Sequence, residues 1–214
     1  MDNNANPKHD EVQKKRELEQ HEVKQVLDFL KRYGKLIAAG IAAAAVAVLV
    51  SRAMAAKKAA DIAEAEQMLN SARTPQQLEE LVDEYKSTPT APVALLNLAK
   101  VLYNQGDVAQ ARARYERFLD EYKKSDQRPI AEFGLAHCTE AEGRFDDAVN
   151  ELKDFLAAYP DHYLTSPAVL ALARCQRQAG QTDDARITLE DFLAEHAGSQ
   201  WAGPAEASLE QINQ

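Results

Sequence analysis

Gly106, Gly143 and Gly180 stand 37 residues apart, and much of the chain keeps that interval. Leu98-Ala99, Leu135-Ala136 and Leu172-Ala173 follow it, as do Ala111, Ala148 and Ala185, and Phe118-Leu119, Phe155-Leu156 and Phe192-Leu193. Ala94, Ala131, Ala168 and Ala205 extend it to a fourth copy, and upstream Val82-Asp83-Glu84-Tyr85 matches Leu119-Asp120-Glu121-Tyr122. A module of this length cannot bury its own apolar face. It must stack on copies of itself, so the repeat restricts the fold to a layered array.

Each copy reads as two helices. In the second copy Pro129 opens helix A, where its missing N–H costs nothing. Helix A carries Phe133, Leu135, Ala136 and Cys138, and Gly143 ends it, since glycine accepts the left-handed geometry after a helix. Asp146 offers a cap to helix B, which runs from Asp147 to Tyr159 with Ala148, Leu152, Phe155 and Leu156 inward, and Pro160 stops it. The pattern predicts full repeats over 91–127, 128–164 and 165–201. A partial first repeat precedes them over 57–90, with helices at 57–72 and 75–86. A capping helix follows within 202–214, and Trp201 is expected to pack at that last junction.

Leu135-Ala136, Gly143, Ala148, Leu152 and Pro160, with their equivalents in neighbouring copies, resemble the tetratricopeptide repeat. The resemblance covers about residues 59–214 and departs from the family in its longer period. The extra residues are expected in the turn near Asp161-His162-Tyr163-Leu164. The family implies an all-α solenoid that docks peptides on a concave face lined by helix A. The groove candidates are then Lys100, Tyr103, Asn104, Phe133, His137, Glu140, Arg174 and Arg177. Arg174 and Arg177 would form a basic spot able to seat a carboxylate by bidentate pairing. The competing reading is a solvated wall that binds nothing.

Charge narrows the partners. The formal net charge is -9, but residues 1–35 carry eight Lys/Arg and seven Asp/Glu, while residues 53–214 carry sixteen and twenty-seven. An acidic repeat region excludes nucleic acid as the expected partner, since phosphate binding needs a basic footprint. The two cysteines, Cys138 and Cys175, share one apolar slot of helix A with Val101 and are expected as buried free thiols. His9, His21, His137, His162 and His196 are scattered, and His196 takes the slot of Tyr122 and Tyr159 as a packing variant. No phosphate loop, H-E-x-x-H or G-x-S-x-G motif is present, so no catalytic residue, metal site or cofactor is expected.

Leu36 to Val50 is free of charge, and the apolar stretch reaches Ala56 if Arg52 turns its charge to the headgroups. Three readings compete: a retained membrane anchor over 34–56, a signal cleaved near Ala53-Met54-Ala55, or an alanine-rich helix of a soluble protein. The long polar leader disfavours cleavage and the missing polar face disfavours the soluble helix, so the anchor is preferred. Arg16, Lys24, Lys31, Arg32 and Lys35 outnumber Arg52, Lys57 and Lys58 across the run, which puts the N-terminus in the cytoplasm and the repeats in the periplasm of a bacterium. Residues 1–10 read as a disordered polar tail. Residues 11–33 read as an amphipathic juxtamembrane helix, with Val23, Val26, Leu27 and Leu30 on one face, either resting at the interface or docking a membrane partner.

VKQVLDFLKRYGKLIAAGI, with Gly34-Lys35 just before the apolar run, resembles the bacterial ancillary Sec-translocon subunit family. That resemblance implies a single-pass inner-membrane protein whose repeats link translocon subunits to periplasmic chaperones. An outer-membrane assembly scaffold and a regulatory adaptor subunit of another complex remain alternatives.

Overall fold

A computed structural model describes residues 7–213. Its elements are α1 (Pro7–Ser71), α2 (Pro75–Glu84), α3 (Thr90–Asn104), α4 (Val108–Glu121), α5 (Arg128–Ala141), α6 (Phe145–Ala158), α7 (Thr165–Gln178), α8 (Thr182–His196) and α9 (Ala202–Ile212). The chain divides into two units, Met1–Ala59 and Ala60–Gln214.

Helix α1 takes in three segments that the sequence separated by hydropathy: 11–33, 34–56 and the first helix of the partial repeat. The boundaries at 34 and 57 are therefore not breaks in the backbone. Between Pro7 and Pro75 no proline interrupts the chain, and only Gly34 and Gly40 weaken it, by about 1 kcal/mol each relative to alanine. Of the tail expected over 1–10, residues 1–6 lie outside the described residues, and residues 7–10 already belong to α1. Within the first unit the large apolar side chains of α1 are exposed, Ile41 at 65%, Leu49 at 67% and Met54 at 69% among them.

The second unit is built from sequential pairs, each helix packing on the next. Helix α3 also touches α5, and α7 touches α9. Alternate helices thus form one layer, the A helices α3, α5, α7 and α9, and the B helices α4, α6 and α8 lie behind them.

The turn inside each repeat is set by its glycine. Gly106, Gly143 and Gly180 have φ of 83°, 76° and 79°. In each case the next residue's N–H donates to a carbonyl in the last helical turn: Asp107 to Leu102 at 3.0 Å, Arg144 to Thr139 at 3.2 Å, and Gln181 to Gln176 at 2.8 Å. The glycine N–H donates one residue later, to Tyr103, Glu140 and Arg177 at 2.9, 2.9 and 3.1 Å. This paired bonding satisfies the orphan carbonyls of the A helix and requires a left-handed residue.

The turn between repeats also recurs. Thr88, Ser125, His162 and Ser199 each donate a backbone N–H to the carbonyl three residues back, on Tyr85, Tyr122, Tyr159 and His196, at 2.8, 2.9, 3.2 and 2.9 Å. The rings at these positions lean on the preceding phenylalanine: Phe118–Tyr122 at 5.4 Å, Phe155–Tyr159 at 5.1 Å and Phe192–His196 at 4.7 Å between centroids. His196 therefore packs where tyrosine packs in earlier copies.

Asp107 caps α4 by accepting from the Gln110 N–H at 3.2 Å. Its register equivalents are Arg144 and Gln181, which make no side-chain cap. The expectation that Asp146 caps the second B helix is thus corrected. α6 starts at Phe145, and Asp146 sits in its first turn, where its charge meets the positive end of the helix dipole.

The core is thin and alanine-rich. Ala94, Ala131, Ala168 and Ala205 are fully buried, as are Ala111, Ala148 and Ala185, so paired helices approach closely. Phe118, Leu98, Leu152 and Leu189 fill the space between layers, each stabilising the stack by roughly 1.5–3 kcal/mol. Helix α9 repeats the A pattern on one side only. Glu206, Glu210 and Asn213 stand where α3 has buried Leu95, Ala99 and Leu102, giving the polar outer face with which stacked repeats are capped. Trp201 is half-buried against this last cluster.

Candidate protein-docking face

The A helices present one wall. A shift of 37 residues carries Lys100 onto His137, Arg174 and Gln211, and carries Tyr103 onto Glu140 and Arg177. The side chains meet diagonally, each residue of the second set touching one of the first set on the next A helix. The Tyr103 and His137 rings lie 6.2 Å apart. Arg174 grips Glu140 with two bonds, Nε to Oε1 at 2.5 Å and Nη2 to Oε2 at 2.7 Å. Arg177 Nη1 donates to Gln211 Oε1 at 3.2 Å. These are three rungs of one ladder.

His137 joins two rungs. Its ring meets Phe133 edge-on at 4.4 Å, and its Nδ1 lies 3.3 Å from Glu140 Oε2. Phe133 in turn packs on Phe155 at 5.6 Å, so it is as much core as surface. Burial alone would push the Glu140 carboxyl up. The bonds from Arg174 and His137 outweigh that and hold it at about 2. Tyr103 is raised from the usual phenol value, by burial first and then by the Glu140 charge.

Tyr103, Phe133, His137, Glu140 and Arg174 thus form one connected patch, with Arg177 one rung further on. Lys100 and Asn104 are exposed on α3 and join none of these contacts. The pair Arg174 and Arg177 is not a free basic spot, because Glu140 fills the Arg174 fork. Sequence reasoning missed Ser208, Gln211 and Ile212. They line, with Leu170, Ala173 and both arginines, a cleft of about 230 Å³ at the α7–α9 end of the wall. Applying the 37-residue shift to Arg174 would have found Gln211.

The cysteines are buried free thiols, and burial pushes Cys138 up to about 11 and Cys175 up to about 12. Among the described residues no cluster of His, Cys, Asp and Glu is arranged to hold a metal ion.

Stacked two-helix modules with glycine turns, an A-helix wall and a charged cap define the class: a helical-repeat solenoid of the kind that typically serves as a non-enzymatic protein-interaction scaffold. Residues 27–158 match the tetratricopeptide repeat-like domain family, and residues 139–203 match a tetratricopeptide repeat. The chain belongs to the tetratricopeptide repeat-like domain family. Among solved structures it is similar to the tetratricopeptide-like repeats of a putative kinesin light chain from Podosopora anserina, with TM-score 0.58 and 19% identity over 74% of this chain and 85% of that one. It is also similar to a tetratricopeptide repeat protein from Parabacteroides merdae, with TM-score 0.54 and 19% identity over 73% of this chain and 60% of that one. These likenesses concern the fold. No curated protein sequence matches the chain at a significant level.

Proposed function

We propose that this protein is a single-pass membrane-anchored scaffold of the bacterial envelope that docks other proteins on its A-helix wall and links the Sec translocon to periplasmic folding factors. The observation that carries the anchor is α1. It contains a stretch long and apolar enough to cross a bilayer, with none of that stretch buried against the rest of the protein. A soluble helix of that composition would need a partner surface to cover it.

The family match supports the same reading. It runs from residue 27 to residue 158, so it takes in the end of the juxtamembrane segment, the apolar run and the first repeats together. Five basic residues before the run against three after it favour a cytoplasmic N-terminus and periplasmic repeats. The Gly34-Lys35 junction and the stretch before it resemble the ancillary translocon subunits, and the docking wall on Tyr103, Phe133, His137, Glu140 and Arg177 would face the folding factors.

Topology and partners test this in turn. Alkaline phosphatase fused after Gln214 should be active, and green fluorescent protein at the same place dark. Photocrosslinking from Tyr103 and His137 in intact cells should then recover translocon subunits or periplasmic chaperones. A fusion active only in the cytoplasm would falsify the envelope reading, and recovery of cytoplasmic enzymes alone would remove the translocon link.

A further inference from the structure

The charge of the second unit is sorted by layer. Helices α3, α5 and α7 together carry four Lys/Arg and two Asp/Glu, whereas α2, α4, α6 and α8 carry five and sixteen. Both acids of these three A helices are already neutralised, and those of α9, Glu206 and Glu210, stand exposed on its outer capping face. Glu132 pairs with Arg128 at 2.8 Å, and Glu140 is held by Arg174. Lys100 and Arg177 are left, so the part of the wall formed by α3, α5 and α7 is positive in a domain that is otherwise strongly negative.

The third rung of the ladder is chemically incomplete. In the second rung an arginine meets a carboxylate, in bidentate geometry. In the third, Arg177 meets only the neutral amide of Gln211, through one Nη1 bond, and its Nε and Nη2 have no protein acceptor among the described residues. Arg177 lines the 230 Å³ cleft between α7 and α9, whose lining contains no carboxylate. The polar groups there are Arg174, Arg177, Ser208 and Gln211. The rest is apolar, with Leu170 and Ile212 at its sides. Its volume falls below the roughly 300–1,000 Å³ of small-molecule sites, which points to a side chain or two rather than a cofactor.

From this geometry we infer that the α7–α9 cleft takes an acidic peptide segment, one carboxylate seated on Arg177 and a neighbouring aliphatic side chain held between Leu170 and Ile212. The inference rests on the docking reading above and adds the chemistry of the partner. Glu140 is the internal precedent, since the same wall already holds one carboxylate on an arginine fork. The acidic B layer steers the segment: a negative peptide is repelled from the outer face and accepted only at the wall.

The test uses the full chain in phosphatidylcholine nanodiscs and three fluorescein-labelled peptides of equal length. Each carries one leucine, flanked by glutamates, lysines or glutamines. Fluorescence anisotropy should show saturable binding of the glutamate peptide only, weakening as salt rises. Arg177→Glu should weaken it by about tenfold or more, the loss expected of a charge-assisted bond, with helicity unchanged by circular dichroism. Glu140→Gln frees the Arg174 fork and should tighten binding several-fold. Absence of glutamate-peptide binding, or binding indifferent to Arg177→Glu, overturns the assignment. Equal binding of the glutamine peptide overturns the charge argument but leaves the docking reading standing. If instead the protein self-associates and Arg177→Glu dissolves the oligomer, the occupant is a second copy and the acidic-peptide assignment falls. The crosslinking from Tyr103 and His137 judges the docking reading separately.

Discussion

Gly134 lies in the middle of α5, where glycine is the poorest choice short of proline. Replacing it with alanine on an open helix would stabilise the protein by about 1 kcal/mol. Here the added Cβ would run into Tyr115 Cζ and lie 2.6 Å from each Cε. Tyr115 on α4 is only 6% exposed and belongs to the same cluster as Phe118 and Ala131, so its ring has nowhere to go. Overpacking of this kind costs roughly 1–3 kcal/mol, which exceeds the helix gain on most of that range. Gly134→Ala should therefore destabilise by about 1 kcal/mol or somewhat more.

The next repeat supplies the control. The 37-residue shift carries Tyr115 onto Leu152 and Gly134 onto Ala171, so the large–small pair of one interface becomes a medium–medium pair in the next. Tyr115→Leu alone should lose about 2 kcal/mol by leaving a void beside Gly134. The double variant Tyr115→Leu/Gly134→Ala copies the native Leu152–Ala171 pair and should recover most of both losses. Urea denaturation of the full chain in detergent, followed by far-ultraviolet circular dichroism, gives all four corners of the cycle. A Gly134→Ala variant as stable as the parent, or a double variant whose losses simply add, would refute the reasoning.

Three further outcomes follow from the same geometry. The Glu140 carboxyl, held at about 2 in the fold against an ordinary 4.5, contributes stability that is complete above the ordinary value and is lost as pH falls towards 2. With the Arg174 side chain 43% exposed, solvent screening reduces this to about 1–2 kcal/mol, and Glu140→Gln should remove that share and flatten acid unfolding between pH 4.5 and 2 relative to the parent. Gly143→Ala, at φ 76°, should cost about 1–2 kcal/mol in thermal unfolding, whereas alanine at exposed, helical Gly203, where an added Cβ meets nothing, should cost nothing. Cys138 and Cys175, buried and raised to about 11 and about 12, should resist a disulfide reagent at pH 8 until urea unfolds the repeats, and labelling at the rate of a free thiol would contradict that.

What could be read from the sequence was whatever packing forces to recur. Gly106, Gly143 and Gly180 announce their turns because no other residue tolerates the left-handed backbone at so little cost. Ala111, Ala148 and Ala185 announce helix pairs because nothing larger fits. The Asp146 cap was misread because a cap is interchangeable: Asp107 makes one, while Arg144 and Gln181 at the same position do without. The continuity of α1 was hidden because hydropathy changes sharply at Leu36 and Ala56, whereas helix propensity does not. The ladder was hidden for a third reason. Its partners are 34 residues apart, not 37, since each contact runs diagonally from one A helix to the next, and a search at the repeat period sets Lys100 over His137 without revealing that Tyr103 is what His137 meets.

The repeats also serve as an internal comparison that separates folding from docking. Positions that face the stack hold nearly the same residue in every copy: alanine at 94, 131, 168 and 205, and phenylalanine at 118, 155 and 192. Positions on the A-helix wall do not. One series runs Lys100, His137, Arg174, Gln211, and the other runs Tyr103, Glu140, Arg177. Stacking does not fix one residue type at these positions, because Lys100 stands exposed where His137 is half-buried between two rings. A solvated wall could drift to any polar residue, yet the outer helices drifted to acid while the wall did not. On the acidic-segment reading proposed above, that difference between the layers, with Glu140 held by Arg174 at one rung and Arg177 bonded only to the neutral Gln211 at the next, is where a negatively charged guest would be accepted.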